Sequence, residues 1–186
     1  RRRTKDRDAW FVLIHGLGGL GKTSLATHLL QTAFTKSAPE NALVVRCDGI
    51  DAAVADPLAA LVAQVRARGA VVDGAGWEEA TTKLLGDSRS SVDAFEKLVS
   101  ALAARRPGLV LYVDNAETLQ VGAKDDTAGQ LGAWIPAAEA LGATLVRLGE
   151  TMRVLVTSRY RWDGLDPDDC IHLDSMRAPD MLRLVE

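Results

Sequence analysis

Cysteine is scarce in this 186-residue chain: Cys47 and Cys170 are its whole supply. Neither falls in a C-x-x-C or zinc-type spacing, so a disulfide framework and a cysteine-based metal centre are both excluded as organising principles. Both read as core-type thiols. Aromatic side chains are also few, at 5%. Trp10, Trp77, Trp134 and Trp162 are scattered and read as packing residues, with Trp134 and Trp162 flanking the site loops described below. No apolar run approaches the ~20 residues of a membrane span. The charged opening has no signal-peptide pattern and no starting methionine, so a soluble, cytoplasmic fragment that makes no membrane contact is expected.

What is present is ordinary globular composition, 47% hydrophobic and 25% charged with a formal net charge of −3. One domain with a sizeable core is the natural count. The first eight residues are basic, with Arg1, Arg2, Arg3, Lys5 and Arg7 against Asp6 and Asp8. They read as a linker, with the folded domain spanning 9–175 and a further segment beginning over 176–186. The acidic remainder is a poor match for nucleic acid. Tyr160-Arg161-Trp162 alone is too short an aromatic and basic patch to change that.

The stretch that organises the chain is Gly16-Leu17-Gly18-Gly19-Leu20-Gly21-Lys22-Thr23, directly after the apolar run Trp10 to Ile14. It fits the Walker A pattern G-x-x-x-x-G-K-[S/T] and lies between a predicted buried strand and a helix beginning at Ser24. Triphosphate oxygens must be met by several backbone N–H groups at once, and a side chain at Gly18, Gly19 or Gly21 would hold the backbone away. The first turn of the helix adds unpaired N–H donors and a positive dipole end. Lys22 brings a point charge to the β- and γ-phosphates, and the Thr23 hydroxyl can ligate magnesium. The predicted phosphate-binding set is therefore Gly16, Gly18, Gly19, Leu20, Gly21, Lys22, Thr23 and Ser24. His15 reads as a strand-end buttress of this loop.

Four more strands follow: Leu43–Cys47, Leu109–Val113, Arg153–Thr157 and Ile171–Leu173. The third is continuously apolar, as a strand buried on both faces should be. Between them, Asp56-Pro57 opens a helix that runs to Gly69, and Gly74 and Gly76 mark a loop before a shorter helix over Trp77–Leu85. Ser90…Asp93 caps a helix over Val92–Arg105, a loop spans Gly122–Gly129, and Ala138, Leu141, Leu145 and Leu148 share another helix face. A last helix begins near Pro179. Strands alternating with helices imply right-handed βαβ crossovers and a doubly wound parallel sheet. Ligands in such sheets lie at the carboxyl ends of the strands, so Gly16–Thr23, Asp114 and Thr157–Arg159 should converge.

Asp114, delivered by the apolar third strand, is a Walker B candidate able to hold a water of a magnesium shell. The next position, where a second acid commonly activates water, is Asn115. Glu117 is the nearest carboxylate that could serve as base. Arg159, just past the fourth strand, is placed to distinguish ATP from ADP by a charge-assisted contact. Lys22, Asp114, Glu117 and Arg159 thus form the predicted catalytic set, with Thr23 and Asp114 at magnesium.

With these residues in place the chain resembles the STAND class of P-loop signalling ATPases, especially its NB-ARC or AP-ATPase branch of bacterial type. His15–Ala26 is similar to that branch's G-x-G-G-x-G-K-T-x-L-A Walker A. Leu111-Tyr112-Val113-Asp114-Asn115-Ala116-Glu117 resembles its L-x-x-D-N-x-E Walker B, and Val154–Arg159 its sensor strand ending T-S-R. The resemblance implies an α/β, three-layer α/β/α P-loop NTPase core of the ASCE type, with a five-stranded parallel sheet in the order 5-1-4-3-2. That order sets Cys47 and Cys170 at opposite edges, too far apart to bridge. The resemblance also implies a switch that binds ATP or ADP with magnesium, hydrolyses slowly, contacts other domains of a parent chain and assembles into a nucleotide-dependent homo-oligomer. The family's helical lid, winged-helix domain and adenine-side segment have no counterpart in these residues. A non-hydrolysing nucleotide-binding scaffold, an AAA+-type ATPase and a small-molecule kinase are the competing readings; the T-S-R ending and the lack of an acceptor site speak against the kinase.

Overall fold

The computed structural model describes residues 9–34, 41–73, 75–122 and 131–174. The basic start, Gly74, most of the predicted Gly122–Gly129 loop and the helix predicted near Pro179 lie outside these residues. Five strands form one parallel sheet: β1 (Trp10–His15), β2 (Ala42–Arg46), β3 (Val110–Asp114), β6 (Arg153–Ser158) and β8 (Cys170–His172). Their spatial order is β2-β3-β6-β1-β8, which is the predicted 5-1-4-3-2 read from the other edge.

Strand alternation explains the three layers. On β1, Phe11 and Leu13 join one core and Ile14 the other; on β3, Leu111 and Val113 are separated in the same way from Val110 and Tyr112. Such a sheet must be covered on both faces. One face carries α2 (Ala59–Asp73), α3 (Ala75–Gly86), α4 (Ser91–Arg105) and α5 (Glu139–Leu148); the other carries α1 (Lys22–Leu29) through Ala26, Leu25 and Leu29. The larger core includes Leu61, Phe95, Leu98, Leu102, Leu141 and Leu145. Each such side chain contributes about 2 kcal/mol by leaving water.

The predicted α4 cap forms: Ser90 Oγ accepts the Asp93 N–H at 3.2 Å, and Asp93 Oδ2 accepts the Arg89 N–H at 2.9 Å. Gly69, predicted to end a helix, instead lies inside α2. A Cβ there would come within 2.2 Å of the Trp77 ring, so glycine lets the indole seat against the helix, where its Nε1–H bonds Arg66 O at 2.8 Å. Gly76 likewise lies within α3 rather than in a loop. At the sheet edge, the Gln64 amide both accepts from Arg46 N and donates to Arg46 O, each at 2.8 Å.

A second, smaller sheet joins β4 (Gln120–Gly122), β5 (Leu131–Trp134) and β7 (Arg161–Trp162) in that order. It is absent from the sequence expectation. Its strands are two to four residues long, and Gly122 and Gly132 interrupt any apolar run. Both glycines lie under Tyr160: a Cβ would meet its ring at 3.3 Å and 2.4 Å respectively.

Candidate nucleotide site

Register brings the site residues together. β1 pairs with β6 so that His15 lies beside Ser158, and β3 with β6 so that Val113 lies beside Val156. The loop after β1, Asp114, Asn115 and Arg159 therefore leave the sheet at one edge, as expected. There they surround a cleft of about 340 Å³ lined by Gly18, Gly19, Gly21, Lys22, Thr23, Asn115, Glu117 and Arg159. Gly16, Leu20, Ser24 and Asp114 of the predicted site residues are not on its wall; Asp114 lies behind Thr23, whose hydroxyl it accepts.

The loop takes the form its glycines permit. Gly19 and Gly21 have φ of 80° and 81°, and Gly21 caps α1 in the left-handed region. The first intrahelical bond runs from Leu25 N to Gly21 O at 2.8 Å, so the N–H groups of Lys22, Thr23 and Ser24 precede it and remain for an anion. Lys22 is buried, and its Nζ donates to Gly16 O and Leu17 O, both at 2.9 Å. Of three ammonium protons, one remains for the cleft. Burial lowers the Lys22 pKa most; Glu117 and Asp114 oppose that, and Arg159 adds to it.

Asp114 is fixed by convergence. Thr23 Oγ1, the Tyr112 hydroxyl and Thr157 Oγ1 all donate to its Oδ1, at 3.0, 2.7 and 2.6 Å. Oδ2 takes none of the three and is the oxygen that can meet the water shell of a cation. Tyr112 was unforeseen as a site residue. Its signal was present, since residues two apart on a strand share a face. Burial, then the bond to Asp114, raises its phenol pKa.

Asn115 has φ 58° and ψ 44°, and among the described residues it is the one non-glycine with positive φ. Its N–H donates to Thr157 Oγ1 at 3.0 Å. Asparagine is one of the few non-glycine residues whose short polar side chain tolerates this left-handed turn. The turn opens a 3₁₀ helix over Ala116–Leu119 that carries Glu117 back to the cleft.

Glu117 faces Arg159, Oε1 to Nε 3.5 Å, while its buried Oε2 has no partner among the described residues. The Arg159 guanidinium also lies over the loop: a Cβ on Gly18 would come 3.4 Å from Nη2. A phosphate cradle, a lysine with a spare proton, a hydroxyl-clamped aspartate and a half-partnered glutamate fit a magnesium nucleotide. Thr23 and Asp114 could hold the cation.

Below the loop, His15 is buried and lies 3.4 Å, Nδ1 to Nδ1, from His172. Burial, then His172, Arg161 and Lys22, lowers the His15 pKa to about 4. Leu173 N donates to His15 O at 2.7 Å, and a Cβ on Gly16, whose φ is 146°, would come 2.2 Å from Leu173 O. The buttress role expected of His15 agrees with these contacts.

The cysteines are free, Cys47 buried and Cys170 partly so, at opposite sheet edges as the strand order implies. Burial pushes the Cys47 thiol up to about 12. Trp162 packs on Phe11 and Trp134 away from the cleft, and Tyr160 on glycines, so neither ring is free to stack on a base. No helix among the described residues is long and apolar enough to cross a membrane.

A five-stranded parallel sheet, helices on both faces and a glycine loop between β1 and α1 define the class: this is a P-loop NTPase domain. A family model described as the AAA ATPase domain matches residues 2–156, and the chain belongs to that family. The match ends within β6, so Arg159, β7 and β8 lie beyond it. A search of curated proteins finds no match. Nucleotide binding with ATPase activity, on ATP with magnesium, is the character of this family.

Proposed function

We propose that this domain is the ATP/ADP-binding switch module of a multidomain regulator of STAND type, with slow magnesium-dependent hydrolysis. The observation that carries the reading is the Glu117–Arg159 pair across the phosphate cleft, joined at only 3.5 Å with Oε2 left over. The pair is partly exposed and contributes at most about 1 kcal/mol. A third phosphate can therefore displace it.

In this reading the backbone N–H groups of Gly19–Ser24 and the spare Lys22 proton bind the phosphates. The bound cation would supply charge neutralisation at the β- and γ-oxygens, with Thr23 and Asp114 holding it. Arg159 turns from Glu117 to the terminal phosphate, and the freed Glu117 carboxylate accepts a proton from a neighbouring water. ADP lacks the group that draws Arg159 away. Two arrangements of one pair, selected by one phosphate, make the elements of a switch. The partners proposed are other domains of the parent chain and further copies of it in the ATP-bound form.

Single-turnover hydrolysis of labelled ATP tests the assignment. Wild type should turn over slowly, and Glu117→Gln about 100-fold more slowly still with ATP binding retained. Tight ATP binding with no turnover in either protein would favour the non-hydrolysing scaffold and remove Glu117 as base. Lys22→Ala should lose about 100-fold in affinity for both nucleotides with its melting transition intact; unchanged affinity in a titration would refute the phosphate site.

A further inference from the structure

The outer edge of β2, on the far side of the sheet from β8, offers a place for one more strand. Backbone groups along β2 alternate between β3 and the outside. Cys47 N donates to Asp114 O at 2.9 Å, toward β3, whereas Arg46 N and O both turn outward to the Gln64 amide, each at 2.8 Å. Val44, two residues before Arg46, therefore also presents its N–H and C=O to the outside. No described residue takes them.

A groove of about 360 Å³ lies here, lined by Val44 and Arg46 of β2 and by Gln64, Ala67 and Arg68 of α2. The three helix residues are three and four positions apart and form one stripe of α2. The Val44 side chain packs with the core beneath α1, on the opposite face of the sheet. What Val44 contributes to a groove shared with α2 is thus its backbone edge.

Two observations identify the occupant. Gln64 carries the group that a peptide backbone would bring, a carbonyl oxygen for Arg46 N–H and an N–H for Arg46 O, so it completes on Arg46 the pairing left open on Val44. Arg46 and Arg68 are exposed, and neither forms an ion pair with a described residue. A second copy laid antiparallel on this edge would set its own two arginines against these, and like charges facing each other across strands are destabilising. The groove therefore favours a partner of opposite charge.

We propose that this edge binds an extended acidic peptide segment of a partner protein as a sixth strand of the main sheet, its backbone pairing with Val44 N and O and its carboxylates meeting Arg46 and Arg68. Arg46 shares the face of Val44, whereas Arg68 comes from the α2 face, so two successive acidic residues, which point to opposite faces of a strand, reach both. Gln64 ends the site, because it already occupies the Arg46 backbone. The inference is independent of the switch reading.

Three probes separate the claims: acetyl-Thr-Val-Glu-Glu-Val-Thr-amide, the same peptide with lysines for its two glutamates, and glutarate, which has carboxylates and no backbone. Each is titrated at low ionic strength into the ¹⁵N-labelled chain while the Val44 amide resonance and its hydrogen exchange are followed. The acidic peptide should move the resonance saturably downfield and slow its exchange, with a Kd below about 1 mM. The lysine peptide should bind at least about tenfold more weakly, and the double variant Arg46→Glu, Arg68→Glu should reverse that preference with its melting transition intact. A Val44 amide unmoved up to the solubility limit of the acidic peptide overturns the proposal. Equal binding of the two peptides does so as well, and an equal response to glutarate makes the groove a plain anion site. Movement of the Val44 resonance with protein concentration alone makes the edge an interface between copies of this chain and overturns the proposal too. Should the double variant fail to fold, the wild-type preference among the probes decides alone.

Discussion

Two carboxylates three residues apart serve the same cleft in opposite conditions, Glu117 on its wall and Asp114 behind Thr23. Asp114 gives one oxygen to three hydroxyl donors, from α1, β3 and β6. Glu117 has one long contact to an exposed arginine and an oxygen with none. The first is fixed by three different elements before any ligand arrives, which is preorganisation. The second is held so weakly that a ligand can re-pair it. A cation site benefits from the former condition and a responsive group from the latter.

The sharpest way to break this contrast is thermal or denaturant unfolding. Asp114→Ala should destabilise the fold by about 2–3 kcal/mol, because the buried Tyr112 and Thr157 hydroxyls lose their common acceptor, as does the more exposed Thr23. Glu117→Ala should stay within about 1 kcal/mol of wild type, since only a partly exposed ion pair is lost. Equal losses would mean that the two acids are equally structural. Next comes Arg159→Ala: ATP affinity should fall about tenfold while ADP affinity stays near wild type, read by calorimetric titration. A matching loss for ADP would make Arg159 a general phosphate contact and end the idea that it reports the third phosphate.

A further prediction, read against pH, concerns the support under the loop. In the folded chain burial, and after it the charges of His172, Arg161 and Lys22, lowers the His15 pKa to about 4 from the ordinary 6.5. Between those values the unfolded chain binds a proton that the folded chain refuses, so stability should decline as pH falls from 6.5 to 4. His15→Asn should flatten that part of the stability profile and leave the slope above pH 7 unchanged. An unaltered acid limb would show that another group is responsible.

The main sheet was legible because each strand is a short apolar run closed by a polar residue, from Trp10–His15 to Arg153–Ser158. Its order came from the resemblance of three motifs; the spacing of the runs does not contain it. The phosphate loop was legible residue by residue, since glycine is demanded where φ turns positive at Gly19 and Gly21. Other glycines were misread because their reason is a distant ring: Gly69 exists for Trp77, and Gly122 for Tyr160. A local reading takes a glycine for a turn, whereas close approach is a tertiary fact. Asn115 had looked like a missing acid. Its left-handed backbone gives a conformational reason for a short polar side chain there, and the turn it opens carries Glu117 to the cleft. The small sheet went unseen because strands of two to four residues carry no period to detect.

Gly16 and the end of β8 are in contact at a spacing that leaves no room for even a methyl group, and a hydrogen bond from Leu173 to His15 closes the joint from the other side. In mechanical terms this is a coupling without backlash. The Leu173 carbonyl and the Gly16 backbone fit only as they stand, and any side chain at Gly16 would have to push the two apart. The strand that looks least important to the sheet, three residues at its edge, is thus a seat on which the first residue of the glycine loop rests.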